Sequence, residues 1–242
     1  MRLDVFLYEE GYADSRTDAK NFILGGFVKV NGRMINKPSY DVPDLANIEL
    51  DKSGKKYVSR GGIKLEGAIK AFKIDVSNKL AIDIGASSGG FTDCLLQYGA
   101  RHVISVDSGT DQLVLKLRTD RRVTVIEGYN ARYMKREDFE YEPTLAVMDV
   151  SFISATFIFE PLSYVLSDGG DFICLIKPQF EVGREHIGKG GIVKDEKARL
   201  FAVEKVIAEA ERFGFEYVAH KVSDIQGGDG NIEYIAHFIN RK

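Results

Sequence analysis

Residues 79–97, Lys-Leu-Ala-Ile-Asp-Ile-Gly-Ala-Ser-Ser-Gly-Gly-Phe-Thr-Asp-Cys-Leu-Leu-Gln, leave the chain few folds to choose from. Leu80, Ala81, Ile82 and Ile84 form an apolar run of buried-strand length, interrupted by Asp83. Gly85, Gly89 and Gly90 break it, and Phe91, Leu95 and Leu96 resume at helical spacing. Strand, glycine loop and helix in this order is how an open α/β sheet builds a ligand site at its carboxyl edge. The glycines let backbone approach a ligand, and the helix start offers unpaired N–H groups.

The loop taken alone leaves three readings open. It lacks the second glycine of the Gly-x-Gly-x-x-Gly dinucleotide fingerprint, and no Gly-Lys-[Ser/Thr] of a P-loop follows. Gly85-Ala-Ser87-Ser-Gly89 fits the Gly-x-Ser-x-Gly nucleophile elbow of α/β-hydrolases. A nucleoside-binding loop of an S-adenosylmethionine (SAM) methyltransferase is the third possibility. The rest of the chain has to discriminate.

Two unequal domains fit within 242 residues. No apolar run reaches bilayer length, and Met-Arg-Leu-Asp-Val at the amino end carries charge where a signal peptide needs apolar residues. Cys94 and Cys174 sit in apolar segments and read as reduced core thiols, so the expected compartment is the cytoplasm. The four histidines are scattered without metal-ligand spacing, so no metal is expected. A net charge of −3 leaves any RNA contact to a local basic patch.

Residues 1–56 read as a small module plus linker, and 57–242 as the main domain. Ser15-Arg-Thr-Asp18 opens a helix that buries Ala19, Phe22 and Ile23 and stops at Gly25-Gly26. Phe27–Val30, Asn31-Gly32 and Arg33–Ile35 read as a tight hairpin, and residues 47–50 as a last strand. Asp51–Lys56 is a polar linker. Arg2, Arg16, Lys20, Lys29, Arg33 and Lys37 by themselves are ordinary solvated charge, since acids are about as numerous.

Beyond the glycine loop the chain alternates as a doubly wound sheet does. Strands are expected at 103–106, 123–126, 145–149 and 172–176, with helices at 111–117, 157–166 and 197–213. A final strand pair is expected at 216–222 and 233–239, joined around residues 227–231. Asp107 ends its strand 22 residues beyond Gly85, where an acid accepts from both hydroxyls of a nucleoside ribose. Ile63, Ala68, Ile69 and Phe72 give a helix one apolar face, and Lys64 near its start opposes the positive end of the helix dipole. Asp149, Lys177 and Glu233 fall at strand ends on the same edge. Singly each reads as a solvated terminus; beside a nucleoside site, with Lys64, they suggest proton abstraction from a weakly acidic hydroxyl. The glycine- and charge-rich stretch 181–193 reads either as a lid or as a plain surface loop. Phe152 and Phe180 could stack on a base or fill a core.

Three segments of the small module resemble the S4 RNA-binding domain: Arg2-Leu-Asp-Val-Phe-Leu, Ser15-Arg-x-x-Ala-Lys20 and Gly25–Arg33. The rest resembles the TlyA (haemolysin A) family. The matching runs are Ser59-Arg-Gly-Gly-Ile-Lys-Leu-Glu66, Asp83–Thr92, Asp149-Val-Ser-Phe-Ile-Ser154, Lys177-Pro-Gln-Phe-Glu-Val-Gly183, Lys189-Gly-Gly-Ile-Val193 and Gly230-Asn-Ile-Glu-Tyr234. The resemblance implies a Rossmann-like α/β SAM-dependent methyltransferase sheet behind a small α+β S4-like domain. It implies methylation of a cytidine ribose 2′-hydroxyl in ribosomal RNA, with ribosomal subunits as partner; the chain's shortness within the family favours the large subunit. The family's Lys-Asp-Lys-Glu tetrad falls on Lys64, Asp149, Lys177 and Glu233. Its SAM site falls on Asp83, Gly85, Ser87, Ser88, Gly89, Gly90, Asp107 and Asn130, with Ser88 replacing the usual threonine. RNA phosphates would meet Arg16 and Lys20, then Arg2, Lys29 and Arg33.

Lys177 is expected to serve as base or to orient the 2′-oxygen. A lysine base half neutral at pH 7 requires its pKa to fall by about 3.4, roughly 4.6 kcal/mol. Burial and Lys64 work in that direction; Asp149 and Glu233 oppose it. Three rival readings remain: a serine hydrolase using Ser87, Asp149 and His220 or His237; a cytolysin, which needs a lipid-facing segment; and an RNA-binding module with a dead catalytic domain, against which the intact tetrad argues.

Overall fold

A computed structural model describes residues 1–13, 15–51 and 56–242; residues 52–55, the middle of the expected linker, and Asp14 lie outside the described residues. The amino-terminal module pairs two helices, α1 (Leu3–Glu9) and α2 (Arg16–Leu24), over a small antiparallel sheet. Ser15 caps α2 by accepting from the Asp18 N–H at 3.0 Å, and Gly26 at φ +74° turns the chain out of it. Strands β1 (Val28–Val30) and β2 (Arg33–Met34) close through Asn31 and Gly32, both at positive φ as a two-residue hairpin turn demands. β3 (Ile48–Leu50) pairs on the other side of β1, giving the order β2-β1-β3. Leu3, Leu7, Ala19, Phe22, Ile23, Val28 and Val30 form the module's core.

The larger domain begins with α3 (Gly61–Phe72), β4 (Leu80–Ile84), α4 (Gly90–Gln97), β5 (His102–Val106), α5 (Leu115–Arg118) and β6 (Val123–Ile126). It continues through β7 (Leu145–Met148), α6 (Phe159–Val165), β8 (Asp171–Ile176), α7 (Pro178–Glu181) and α8 (Glu196–Arg212), and ends with β9 (Phe215–Val222) and β10 (Tyr234–Asn240). The seven strands lie in the order β6-β5-β4-β7-β8-β10-β9, and only β10 runs against its neighbours. Successive residues feed opposite layers. Ala81 packs with Leu65, Ile69 and Leu95 of α3 and α4, whereas Ile82 and Ile84 pack with Phe159, Leu162 and Val206 of α6 and α8. Both faces are covered, which is why the strands read as nearly unbroken apolar runs. Each fully buried Leu or Ile contributes about 2 kcal/mol.

Two helices differ from expectation. The stretch 111–117 forms helix only from Leu115, because the Glu127 carboxylate accepts from the N–H groups of Asp111, Gln112 and Leu113 at 2.8–3.1 Å and holds them in a loop. The stretch 157–166 splits into a 3-10 turn, Ala155–Ile158, followed by α6.

β4 and β7 are neighbours at the point where the strand order reverses, and their carboxyl ends open the crevice in which ligands bind. Because β10 is antiparallel, its amino end reaches that same edge, beside the carboxyl end of β8: Tyr234 pairs with Ile176.

Candidate active site

Gly85 leaves β4 at φ +82°, and a Cβ there would stand 2.5 Å from the Asp149 carbonyl oxygen. Only glycine meets both demands, so the loop crosses directly against the end of β7. Gly90 opens α4; a Cβ on it would come 2.1 Å from Ser59 Oγ and 3.0 Å from the Gly62 nitrogen. The Ser59-Arg-Gly-Gly and Ser88-Gly-Gly runs are thus two halves of one backbone contact, which seats the first turn of α3 on the glycine loop and carries Lys64 to the site.

A cleft of about 740 Å³ lies over the ends of β4 and β5, lined by Gly85, Ser87, Asp107, Asn130 and apolar Val106 and Ile158. The Asp107 carboxylate accepts from Ser87 N–H and Gly109 N–H, each at 2.7 Å, which fixes both oxygens at its wall. Each oxygen retains a lone pair for a further donor. A glycine-floored cleft with an oriented carboxylate fits a nucleoside ligand. Asp83 lies beneath, fully buried: Thr92 Oγ1 donates to its Oδ2 at 2.7 Å and also meets Ser105 Oγ, while Oδ1 has no partner. Burial pushes the Asp83 carboxyl up to about 7 against the pull of the Thr92 hydroxyl.

A second cavity of about 240 Å³ adjoins the first, sharing Gly85, Ser87, Asp149 and Ser151. Lys64 and Lys177 line it too. Lys177 Nζ stands 2.5 Å from Asp149 Oδ1 and donates to Ser151 Oγ at 2.7 Å. Lys64 Nζ donates to Glu233 Oε2 at 2.5 Å, and both groups are buried. Burial works to lower the Lys177 pKa, but Asp149 and Glu233 outweigh it and hold the ammonium above the usual lysine range. Burial likewise pushes Asp149 up, and Lys177 with Lys64 overcomes it and holds the carboxyl below its usual value.

A family model described as FtsJ-like methyltransferase matches residues 57–239, and an S4 domain model matches residues 1–44. The chain belongs to the FtsJ-like methyltransferase family. It is 46% identical over 240 residues to Hemolysin A of Brachyspira hyodysenteriae, covering 99% of this chain and 100% of that protein. It is 40% identical to the 16S/23S rRNA (cytidine-2′-O)-methyltransferase TlyA of Mycobacterium tuberculosis, covering 96% of this chain and 87% of that one. The 23S rRNA (cytidine-2′-O)-methyltransferase TlyA of Campylobacter jejuni is 32% identical, with 99% of both chains covered.

Within the methyltransferase domain the expected residues divide by position. Gly85, Ser87, Asp107 and Asn130 line the larger cleft, while Ser88 and Gly90 line the smaller cavity. Asp83 and Gly89 line neither. Gly89, at φ +98°, makes room for Leu113 and Leu117, so it shapes the turn from behind. Glu233 also stays out of both cavities, and what its carboxylate meets is Lys64. Ser151, which sequence reasoning passed over, sits in both; its signal was its place two residues after Asp149.

The S4 domain supplies one wall of the smaller cavity through Leu24, Gly25, Gly26, Met34 and Asn36. Arg60 joins the domains, donating to Met34 Sδ at 3.4 Å and to the Gln226 carbonyl at 3.1 Å. Arg2 and Arg16 remain half exposed, yet both bond the buried Asp4 of α1, and Arg16, from α2, thereby ties the two helices together. Lys20 is exposed one turn after Arg16 on α2. Lys29 pairs with Met34 and Arg33 with Val30, which puts Lys29 and Arg33 on opposite faces of the hairpin. Stretch 181–193 is fastened at both ends: Glu181 is buried, and Asn231 bonds Val193 N–H and the Gly191 carbonyl, each at 3.0 Å. Phe152 is 88% exposed at the cleft rim, its ring 5.4 Å from that of Phe180.

The serine-hydrolase reading fails on geometry. Both histidines considered for Ser87 are engaged elsewhere: His237 bonds Asp171 from β10 at 2.9 Å, and His220 bonds Tyr217 on β9 at 2.8 Å. β7 and β8 stand between β4 and β10, roughly 14 Å at strand spacing. Among the described residues no helix is long and apolar enough to cross a membrane.

Proposed function

We propose that this enzyme transfers the methyl group of SAM to the ribose 2′-oxygen of a cytidine in ribosomal RNA, acting in the cytoplasm. The observation that carries the reading is that Lys64, Asp149 and Lys177 line one cavity with Gly85 and Ser87 of the glycine loop. SAM, when bound, supplies a methyl already activated on a positively charged sulfur. Asp107 would hold its ribose hydroxyls and the loop from Gly85 to Gly90 its remaining backbone-facing groups. Asp83 would act from below, through the loop. Lys177, charged and tethered by Asp149 and Ser151, keeps one N–H free to orient the 2′-oxygen. This replaces its role as resting base, which its raised pKa opposes. The hydroxyl becomes strongly acidic only as its oxygen bonds carbon. At that stage the Lys177 ammonium can relay the proton, giving one to the Asp149 carboxylate as it takes one from the oxygen, and Glu233 holds Lys64 beside it.

The S4 domain would grip RNA through Arg16 and Lys20, with Arg2, Lys29 and Arg33 adding charge, and Phe152 is exposed for stacking on a base. Large-subunit RNA is the favoured target, since the relative matched over 99% of both lengths bears the 23S name alone. Tritiated SAM, incubated with unmodified large and small subunits and followed by mapping of the methylated ribose, tests this. Label is expected in the large subunit and lost with Lys177→Ala; near-normal transfer by that variant would sink the assignment.

A further inference from the structure

Glu181, the last residue of α7, is buried four residues past Lys177 and lines neither cavity. Its Oε1 accepts from Ala155 N–H at 2.7 Å and its Oε2 from the Ser154 hydroxyl at 2.6 Å. From α8, Lys205 donates to the Glu181 carbonyl at 2.9 Å and reaches Oε2 at 3.4 Å. An interior carboxylate is rarely kept for stability, because apolar side chains of similar volume serve as well. What it spans is informative. β7 and β8 are paired as far as Met148 and Cys174. Beyond that the segments carrying Asp149 and Lys177 have left that ladder; besides the contacts of Lys177 itself and the Phe152–Phe180 rings, Glu181 joins them through Ser154 and Ala155.

The segment it grips is strained. Between Asp149 and Ser154 the chain arches, with Phe152 at φ +64°, a conformation that bulky residues hold only where their surroundings over-determine it. One foot of the arch is Asp149, and its inner side carries Ser151; these are the two groups on the Lys177 ammonium.

We infer that Glu181 is a positioning residue for methyl transfer: a carboxylate strut that holds the 149–155 arch against the segment following β8, so that Asp149 and Ser151 aim Lys177 into the cavity. The inference rests on the proposed function. Its consequence is a separation of effects: the arch lines both cavities, but Asp107, Asn130 and the loop from Gly85 to Gly90, proposed to hold SAM, make none of the strut's contacts, so its loss falls chiefly on the aim of Lys177.

The full-length protein and its E181Q, E181M and S154A variants would be compared for kcat and KM on unmodified large subunits, for SAM affinity by calorimetry, and for fold by circular dichroism. Glutamine keeps an acceptor for Ala155 and a polar partner for Ser154, so E181Q should stay within about threefold of wild-type kcat. Methionine fills the space without bonding, and kcat should fall about 30-fold or more while SAM affinity changes less than twofold, since displacement of about 1 Å can cost a hundredfold. Unchanged kcat in E181M, SAM affinity falling in step with kcat, or equal damage in E181Q would each overturn the inference. If E181M does not fold, S154A decides: a loss of threefold or more in kcat at constant SAM affinity supports the strut, and no loss overturns it. An inactive wild type in the same assay would refute the function, a result distinct from failure of the strut.

Discussion

Asp83→Asn should make the stability of this enzyme less dependent on pH, with a size that follows from burial. The folded carboxyl titrates near 7, while the unfolded one titrates near 3.8. Between those values the folded state holds a proton that the unfolded state has released, so stability falls as pH rises. The whole effect is about 4 kcal/mol, at 1.36 kcal/mol per pKa unit, and about 2–3 kcal/mol of it falls between pH 5 and 8. Asparagine does not titrate. Its amide would place an NH2 where Oδ1 has no partner, a pH-independent cost of about 1–3 kcal/mol. The informative quantity is therefore how the difference between variant and wild type changes with pH, in which every other titrating group cancels. The chain has no tryptophan, so urea unfolding would be followed by far-ultraviolet circular dichroism at pH 5, 6, 7 and 8. The variant should gain about 2–3 kcal/mol on wild type across that range. A difference constant within about 0.5 kcal/mol would refute the claim that burial keeps this carboxyl protonated to neutral pH.

Gly85→Ala places a methyl 2.5 Å from the Asp149 carbonyl in a left-handed conformation, and should cost at least about 2 kcal/mol and most SAM affinity, measured by urea unfolding and calorimetry. Replacing Glu233 with leucine leaves Lys64 buried without its partner and should destabilise by about 3–5 kcal/mol; adding Lys64→Met should recover most of that stability with methyl transfer still absent. Lys20→Ala should weaken RNA binding at low salt and reduce the slope of log affinity against log salt by about 1, with unfolding unchanged. Arg16→Ala should do the same and also destabilise the S4 domain, because the buried Asp4 loses a donor.

Most of the sheet was legible because its strands are covered on both faces and flanked by glycine or acid. The glycine loop was legible because Gly85 and Gly90 are demanded by close backbone contacts that no other residue permits. What escaped depends on groups far away in sequence. Nothing within 111–117 forbids a helix; Glu127 does, by taking three of its N–H groups from outside. Glu181 reads as one charge in a loop, and its role exists only because the arch following β7 comes within reach. The anchoring of stretch 181–193 was hidden for a similar reason, since Asn231 fastens its far end from another loop.

Lys64 shows where local and global rules part. A cation in the first turn of α3 opposes the helix dipole, and sequence alone equally allows a lysine that snorkels to water. The structure buries it, and its counter-charge is 169 residues away at the start of β10. That meeting requires β10 to run against β8, so that an amino end arrives where every other strand presents its carboxyl end. A residue that violates its helix's preference and is then matched by a topology built to reach it is hard to account for as packing. Local misfit that is globally satisfied marks where a fold has been shaped for chemistry.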